Sequence, residues 1–217
     1  MTIKILNLYA GIGGNRKLWD GDIEVTAVEY NEEIAKCYQD FFPQDKVIVA
    51  DAHQYLLDHF KEFDFIWTSP PCPTHSRVRY MASTANNEQA NHPSFAAKFP
   101  DMKLYEEIIF LQYYFKGNYV VENVIGYYPP LVKPQEMANH YFWSNFNIGN
   151  LKTGSRCHNG TVEEKQDLKG FDLSKYAFTT VRKDQVLRNC VEPKTGKHIF
   201  EMCYKNKQFL LSEIETK

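Results

Sequence analysis

Residues 3–14 read Ile3-Lys4-Ile5-Leu6-Asn7-Leu8-Tyr9-Ala10-Gly11-Ile12-Gly13-Gly14, and this stretch decides the fold. An apolar run too short for a helix leads straight into a glycine-rich turn. That is the pattern of a buried parallel strand ending beneath a ligand crevice. Glycine lets the backbone approach a bound group and leaves amide hydrogens pointing at it. No Lys-Ser/Thr pair follows the glycines, so the turn is not a phosphate-binding P-loop. A short helix through Leu18 is expected next.

Outward from this turn the alternation continues. Residues 23–30 read as a second strand and 46–50 as a third. Between them Asn31 is the expected N-cap of a helix over 32–42, which Pro43 stops. A helix over 53–60, a fourth strand over 63–68, a helix over 102–115 and a fifth strand over 119–124 follow. Residues 141–148 read as a sixth strand and 193–204 as a final helix. Strands alternating with helices predict an α/β fold, a mostly parallel sheet with helices on both faces. Residues 73–100 are a long polar stretch, a length that compact domains keep for function. Residues 149–180 are polar and turn-rich and read as a small appendage.

The totals exclude several classes. A formal charge of −2 argues against a broad nonspecific grip on phosphate, though a local basic patch remains open. The cysteines (Cys37, Cys72, Cys157, Cys190, Cys203) are scattered, odd in number and never in a CxxC pair. That spacing predicts no disulfide framework and no metal site, and a reducing, cytoplasmic setting. No secretory leader is read at the start, and no apolar run nears the ~20 residues that span a bilayer.

Successive strand ends carry the chemistry. Glu29 ends the second strand, where a carboxylate can accept both hydroxyls of a ribose. Asp51 ends the third, where it can accept an adenine amino hydrogen. With the glycine turn these make a nucleoside pocket, against the alternative of ordinary solvated acids. Cys72 follows the fourth strand behind Ser69-Pro70-Pro71, whose prolines stiffen the chain and remove backbone donors. That suits a nucleophile, and a buried inert thiol is the alternative. Glu122 and Asn123 close the fifth strand. A glutamic acid shielded there can keep a proton and donate it, or can simply pair with a loop arginine or amides.

Four segments in this order resemble the cytosine-C5 DNA methyltransferase family. The run from Asn7 to Gly14 is similar to its cofactor loop, and Thr68-Ser69-Pro70-Pro71-Cys72-Pro73-Thr74-His75-Ser76 to its proline-cysteine loop. Glu122-Asn123-Val124 matches its glutamate-asparagine-valine motif. Gln185-Val186-Leu187-Arg188-Asn189-Cys190-Val191-Glu192-Pro193 resembles its last motif. The resemblance implies a Rossmann-like S-adenosylmethionine-dependent methyltransferase fold. Residues 1–148 would be the cofactor-binding and catalytic core, 149–184 a reduced target-recognition region, and 185–217 a motif and helix packing back on the core.

The resemblance further implies S-adenosylmethionine as cofactor. Tyr9 would line the adenine, Glu29 would take the ribose, and Asp51 with Ala52 would hold the adenine edge. Gly11 and Gly13 would leave room for the methionine part, with Ala10, Gly14, Pro70, Asn189 and Val191 completing the pocket. Cys72 would attack C6 of a cytosine and Glu122 would serve N3. Ser76, Arg77, Arg79, Asn123, Val124 and His140 would touch the substrate. The expected partner is double-stranded DNA with its target cytosine flipped out, as in restriction–modification systems, with tRNA as the weaker choice. Asn86, Asn87, Gln89 and Asn91 in the long loop, and Lys152, Arg156, Asn159 and Lys165 in the appendage, would read bases or phosphates.

Departures from the family's pattern matter. Asn7 replaces its usual aspartate, Pro73 its glutamine, and Arg188 a glycine. Its Gln-x-Arg-x-Arg pattern is absent around residues 138–144, so His140, Asn139, Arg77 or Arg79 would have to support Glu122. Competing readings are an amino-group methyltransferase, a tRNA cytosine-C5 methyltransferase, and a binding module or subunit of a split enzyme. Cys72 with Glu122 speaks against the first and the last.

Overall fold

A computed structural model describes residues 2–77, 80, 99–151 and 160–214, with side chains as far as Tyr204. Its seven strands are β1 (Ile3–Leu8), β2 (Ile23–Glu29), β3 (Lys46–Val49), β4 (Phe65–Thr68), β5 (Asn118–Val124), β6 (Gln135–Met137) and β7 (His140–Ser144). They form one sheet in the order β3-β2-β1-β4-β5-β7-β6. The first five run parallel, and β7 lies antiparallel to both β5 and β6. Strand order reverses between β1 and β4, and the carboxyl ends there open on the ligand crevice typical of such sheets. This is the Rossmann-like α/β arrangement.

The described helices are α1 (Glu32–Phe41), α2 (Ala52–His59), α3 (Lys103–Tyr114), α4 (Val162–Lys169), α5 (Lys183–Asn189) and α6 (Pro193–Ile214). The period-2 alternation of each strand sorts its side chains between two layers. Leu6, Leu8, Ile66 and Val121 pack with Leu56 of α2 and Ile108 and Leu111 of α3. Ile5, Val25, Phe65, Trp67 and Val120 pack on the other face with Trp19 and with Ile199 and Phe200 of α6. Every residue of β4 is buried, as expected of a central strand covered on both sides. Asn31 caps α1 as its sequence position predicts, accepting from the amides of Glu33 (3.0 Å) and Ile34 (3.1 Å).

Several expectations are corrected. Residues 11–18 form successive turns rather than a short helix. Side-chain anchors hold them: Arg16 is buried and bidentate to Asp45 at 2.9 and 3.1 Å, and the Trp19 indole donates to the Gly196 carbonyl. Residues 135–137 form an edge strand whose brevity hides it from pattern reading. The appendage carries a helix, α4, opened by a reciprocal Thr161–Glu164 capping box and closed by Gly170 in the left-handed region. Phe171 and Leu173 just beyond it are fully buried against Tyr38 and Phe42. Lys165, expected to reach nucleic acid, is buried and ion-paired with Asp184 at 2.5 Å. Arg79, Asn86, Asn87, Gln89, Asn91, Lys152, Arg156 and Asn159, expected to touch nucleic acid, lie outside the described residues.

Candidate active site

The strand ends on the β1 side are held together by carboxylates. Tyr9 and Gly11 both take positive φ, 53° and 56°, so the chain turns sharply as it leaves β1. A Cβ on Gly11 would meet nothing within 4 Å, so the open side of this turn is free space. Glu29 at the end of β2 accepts from the Gly11 amide with one oxygen and from the Asn31 amide with the other, both at 3.0 Å. Asp51 follows β3 and caps α2 through Gln54 N at 3.0 Å, and that amide is the main reason its carboxyl titrates below the ordinary value.

Behind this row lies a residue that sequence reading missed. Glu107 of α3 is wholly buried. It accepts from the Tyr9 hydroxyl (2.6 Å) and the Thr68 hydroxyl (2.7 Å), and its Oε1 lies 3.0 Å from His53 Nδ1. One carboxylate thus ties the ends of β1 and β4 to the first turn of α2. Burial, then the Glu107 charge, push the Tyr9 hydroxyl up, so it stays a donor. In the sequence Glu107 is the second of two glutamates on a helix, and only its missing solvent face separates it from Glu106.

The β4 side carries the reactive groups. Beyond Thr68, Pro70 is buried and its carbonyl accepts from the Asn123 side-chain amide at 3.0 Å. The Asn123 carbonyl oxygen accepts from Val124 N at 2.9 Å. Asn123 is only 2% exposed, and these two bonds fasten the proline-cysteine loop to β5. The Cys72 carbonyl accepts from the amides of His75 and Ser76, both at 3.0 Å, and this turn fixes the cysteine's backbone. Its thiol is free, and burial, followed by the charge of Glu122, pushes it up to about 11. Ser76 bridges Gly126, and Arg77 Nε donates to the Gly126 carbonyl at 2.8 Å. His140 on β7 places Nε2 3.3 Å from Glu122 Oε1. A small cavity beside this pair is lined by Phe142, Lys169, Arg188, Asn189 and Val191 among others.

Residues 3–96 match the family model for C-5 cytosine-specific DNA methylases. This part of the chain is similar to that family. Over 84 residues the chain is 36% identical to the tRNA (cytosine(38)-C(5))-methyltransferase of Spodoptera frugiperda, covering 36% of this chain and 25% of that protein. It therefore spans about a quarter of the length of that curated relative. Among solved structures, a variant of Spodoptera frugiperda DNMT2 aligns at 26% identity and a TM-score of 0.40, over 58% of this chain and 36% of that one. Entamoeba histolytica methyltransferase EhMeth aligns at 11% identity and a TM-score of 0.49, over 95% of this chain and 99% of that one.

S-adenosylmethionine is the methyl donor that this methylase family implies, and the crevice fits it. The side of Gly11 where a Cβ would stand is free space, and the carboxylates of Glu29 and Asp51 stand at the ends of the adjoining strands. Gly13, Gly14, Ala10 and Ala52 also serve packing. A Cβ on Gly13 would lie 2.3 Å from Phe42, and one on Gly14 would lie 2.2 Å from the Val191 carbonyl. Both glycines exist for close approach of protein to protein, which in Gly14's case seats the last motif on the first turn. Ala10 and Ala52 point their side chains into core clusters and offer only backbone to a ligand. Among the described residues no helix is long and apolar enough to cross a membrane.

Proposed function

We propose that this chain transfers a methyl group to C5 of cytosine in DNA, with Cys72 as nucleophile and Glu122 as the group serving N3. The observation that carries the reading is the pairing of a fixed Cys72 with Glu122, whose charge bears on the thiol across strand ends clamped by Asn123. C5 of cytosine is a poor nucleophile until C6 carries an adduct. Addition of the Cys72 thiolate to C6, with a proton placed on N3 by Glu122, makes C5 an enamine carbon. S-adenosylmethionine, when bound, supplies the electrophilic methyl group. Water then takes the C5 proton, the C–H electron pair forms the C5–C6 double bond, sulfur leaves with the C6–S pair as thiolate, and N3 gives its proton back to Glu122. Glu29 would hold the ribose, Asp51 the adenine amine, and the Tyr9 to Gly11 turn the remainder of the cofactor.

A base in a duplex has to leave the stack to meet such a thiol. Ser76 and Arg77, locked to Gly126, would stand beside it at the start of the long polar stretch. The segment 149–184 would contribute to target choice, and the last motif would return to the core through Val191.

A second reading, tRNA as substrate, is favoured by the Spodoptera relative whose name states that activity. Transfer of a labelled methyl group to mixed-sequence duplex DNA and to bulk tRNA, by wild type and Cys72→Ser, separates them. The proposal expects label in DNA at C5 of cytosine with wild type alone. Label in tRNA only would establish the second reading. No label in either would leave a binding module or a split-enzyme subunit.

A further inference from the structure

We infer that Arg188 of α5 forms a phosphodiester site on the rim of the Glu122 cavity, where it takes a backbone phosphate of the nucleic acid whose cytosine reaches Glu122. The inference deepens the proposed methyl transfer and rests on it for the placement of the cytosine.

The fold of α5 puts Arg188 there. Val186 and Leu187 are buried and seat the inner face of this helix. Asp184 and Arg188, four residues apart, are neighbours on the face left outside, with Arg188 Nη2 3.1 Å from Asp184 Oδ2. Arg188 also borders the cavity that Glu122, His140 and Phe142 enter from β5 and β7. One cavity therefore has the carboxyl assigned to N3 on its sheet side and a guanidinium on its helix side. A nucleotide joins those two chemistries: its base is neutral, and its phosphodiester, one sugar away, is an anion.

The charges around Arg188 leave it available. Lys169 is buried, and its Nζ reaches Glu192 at 2.8 Å and the Cys190 carbonyl. Lys165, also buried, reaches Asp184 Oδ1 at 2.5 Å. The Lys165 hydrogen bond above all, with the charges of Arg188 and Arg182, holds the Asp184 carboxyl below its ordinary value. One carboxylate thus faces three cations, and its single charge does not neutralise them. Lys165 is enclosed, whereas the Arg188 side chain is 44% exposed. Among the described residues Asp184 is its one ion-pair partner, and a guanidinium has five donors in a fork that fits two phosphate oxygens. An exposed pair at this spacing contributes little by itself, so exchanging Asp184 for a phosphate costs little. Family resemblance does not supply this cation: the last motif has glycine at this position, and the family's arginine pattern is absent around residues 138–144.

Equilibrium binding of the full chain to mixed-sequence duplex DNA and to bulk tRNA, at about 50 and 200 mM salt, tests this without any methyl transfer. Each phosphate neutralised contributes about 0.9 to the slope of log affinity against log salt on a duplex. With the nucleic acid that wild type binds more tightly, Arg188→Gln should lower that slope by about one. Its loss of affinity should then be about 3.5-fold greater at the lower salt than at the higher. Arg188→Lys should keep the wild-type slope, because an ammonium also displaces a counterion. Lys116→Gln should keep it as well, since Lys116 is exposed just before β5, at the end of the sheet away from the crevice. Calorimetry should give Arg188→Gln the wild-type affinity for S-adenosylmethionine alone. An unchanged slope in Arg188→Gln, or no binding of either nucleic acid by wild type, would overturn the phosphate site. An equal fall in Lys116→Gln would overturn it too, by reducing the effect to net charge. So would a loss of cofactor affinity in Arg188→Gln, which would give the guanidinium to the cofactor's carboxylate. If binding follows the expectation and no methyl group is transferred, the proposed function fails and the phosphate site stands.

Discussion

Glu107 and Glu122 are two buried carboxylates at the same end of one sheet, and their surroundings assign them opposite work. Glu107 is completely enclosed and holds the Tyr9 and Thr68 hydroxyls and the His53 ring. Glu122 is 9% exposed, borders a cavity, and faces one imidazole at 3.3 Å and a thiol it makes less acidic. A carboxylate saturated with partners orders the strand ends. One with a single imidazole partner among the described residues, beside a thiol, is the one that the proposed function assigns to a substrate. The difference teaches that burial alone does not separate the two acids; their partners among the described residues do.

Exchanging each for a neutral residue should split the pair cleanly. Glu122→Gln should lower methyl transfer by about 10²–10⁴-fold, the usual range for a general acid. Its thermal stability should stay within about 1 kcal/mol of wild type by denaturant unfolding. Glu107→Ala should do the reverse, costing about 3 kcal/mol by leaving several buried groups without an acceptor. A Glu107 variant of unchanged stability would break the comparison.

Smaller effects sharpen it. His53 titrates above its ordinary value of 6.5, chiefly through its hydrogen bond to Glu107. Because the folded protein binds that proton more tightly, the resulting stability is fully present below about pH 6.5 and is lost as pH rises through the higher folded value. The stability gap between wild type and His53→Gln should therefore shrink between pH 6 and pH 9, within about that window. On the other side, alkylation of Cys72 should quicken about tenfold per pH unit across neutral pH, since its thiol is pushed up to about 11. Glu122→Gln should speed alkylation a few-fold at fixed pH by removing the opposing charge.

The sheet was legible because its strands are short, buried and punctuated: Pro43 ends one helix, Asn31 starts it, and glycines follow β1. Cys72 and Glu122 were legible as polar residues at strand ends. Glu107 was not, since helical periodicity reports which face is buried and says nothing of what a buried acid binds. The Ala138-Asn139 turn was hidden because neither residue is glycine, although the family's missing arginine pattern did point to this segment. Helix α4 could have been found from Thr161 and Glu164, a capping box that a polar composition masked. The packing of Gly13 on Phe42 and of Gly14 on Val191 was not legible, because sequence cannot tell room for a ligand from room for protein.

The central claim is that Cys72 forms a bond to C6 of cytosine. Incubation with S-adenosylmethionine and duplex DNA carrying 5-fluorocytosine tests it most directly, because fluorine at C5 blocks the elimination that frees the enzyme. The account predicts a denaturant-resistant protein–DNA adduct whose mass maps to the peptide containing Cys72, and none with Cys72→Ser. An adduct retained by Cys72→Ser, or methylated DNA produced by that variant at the wild-type rate, would contradict it.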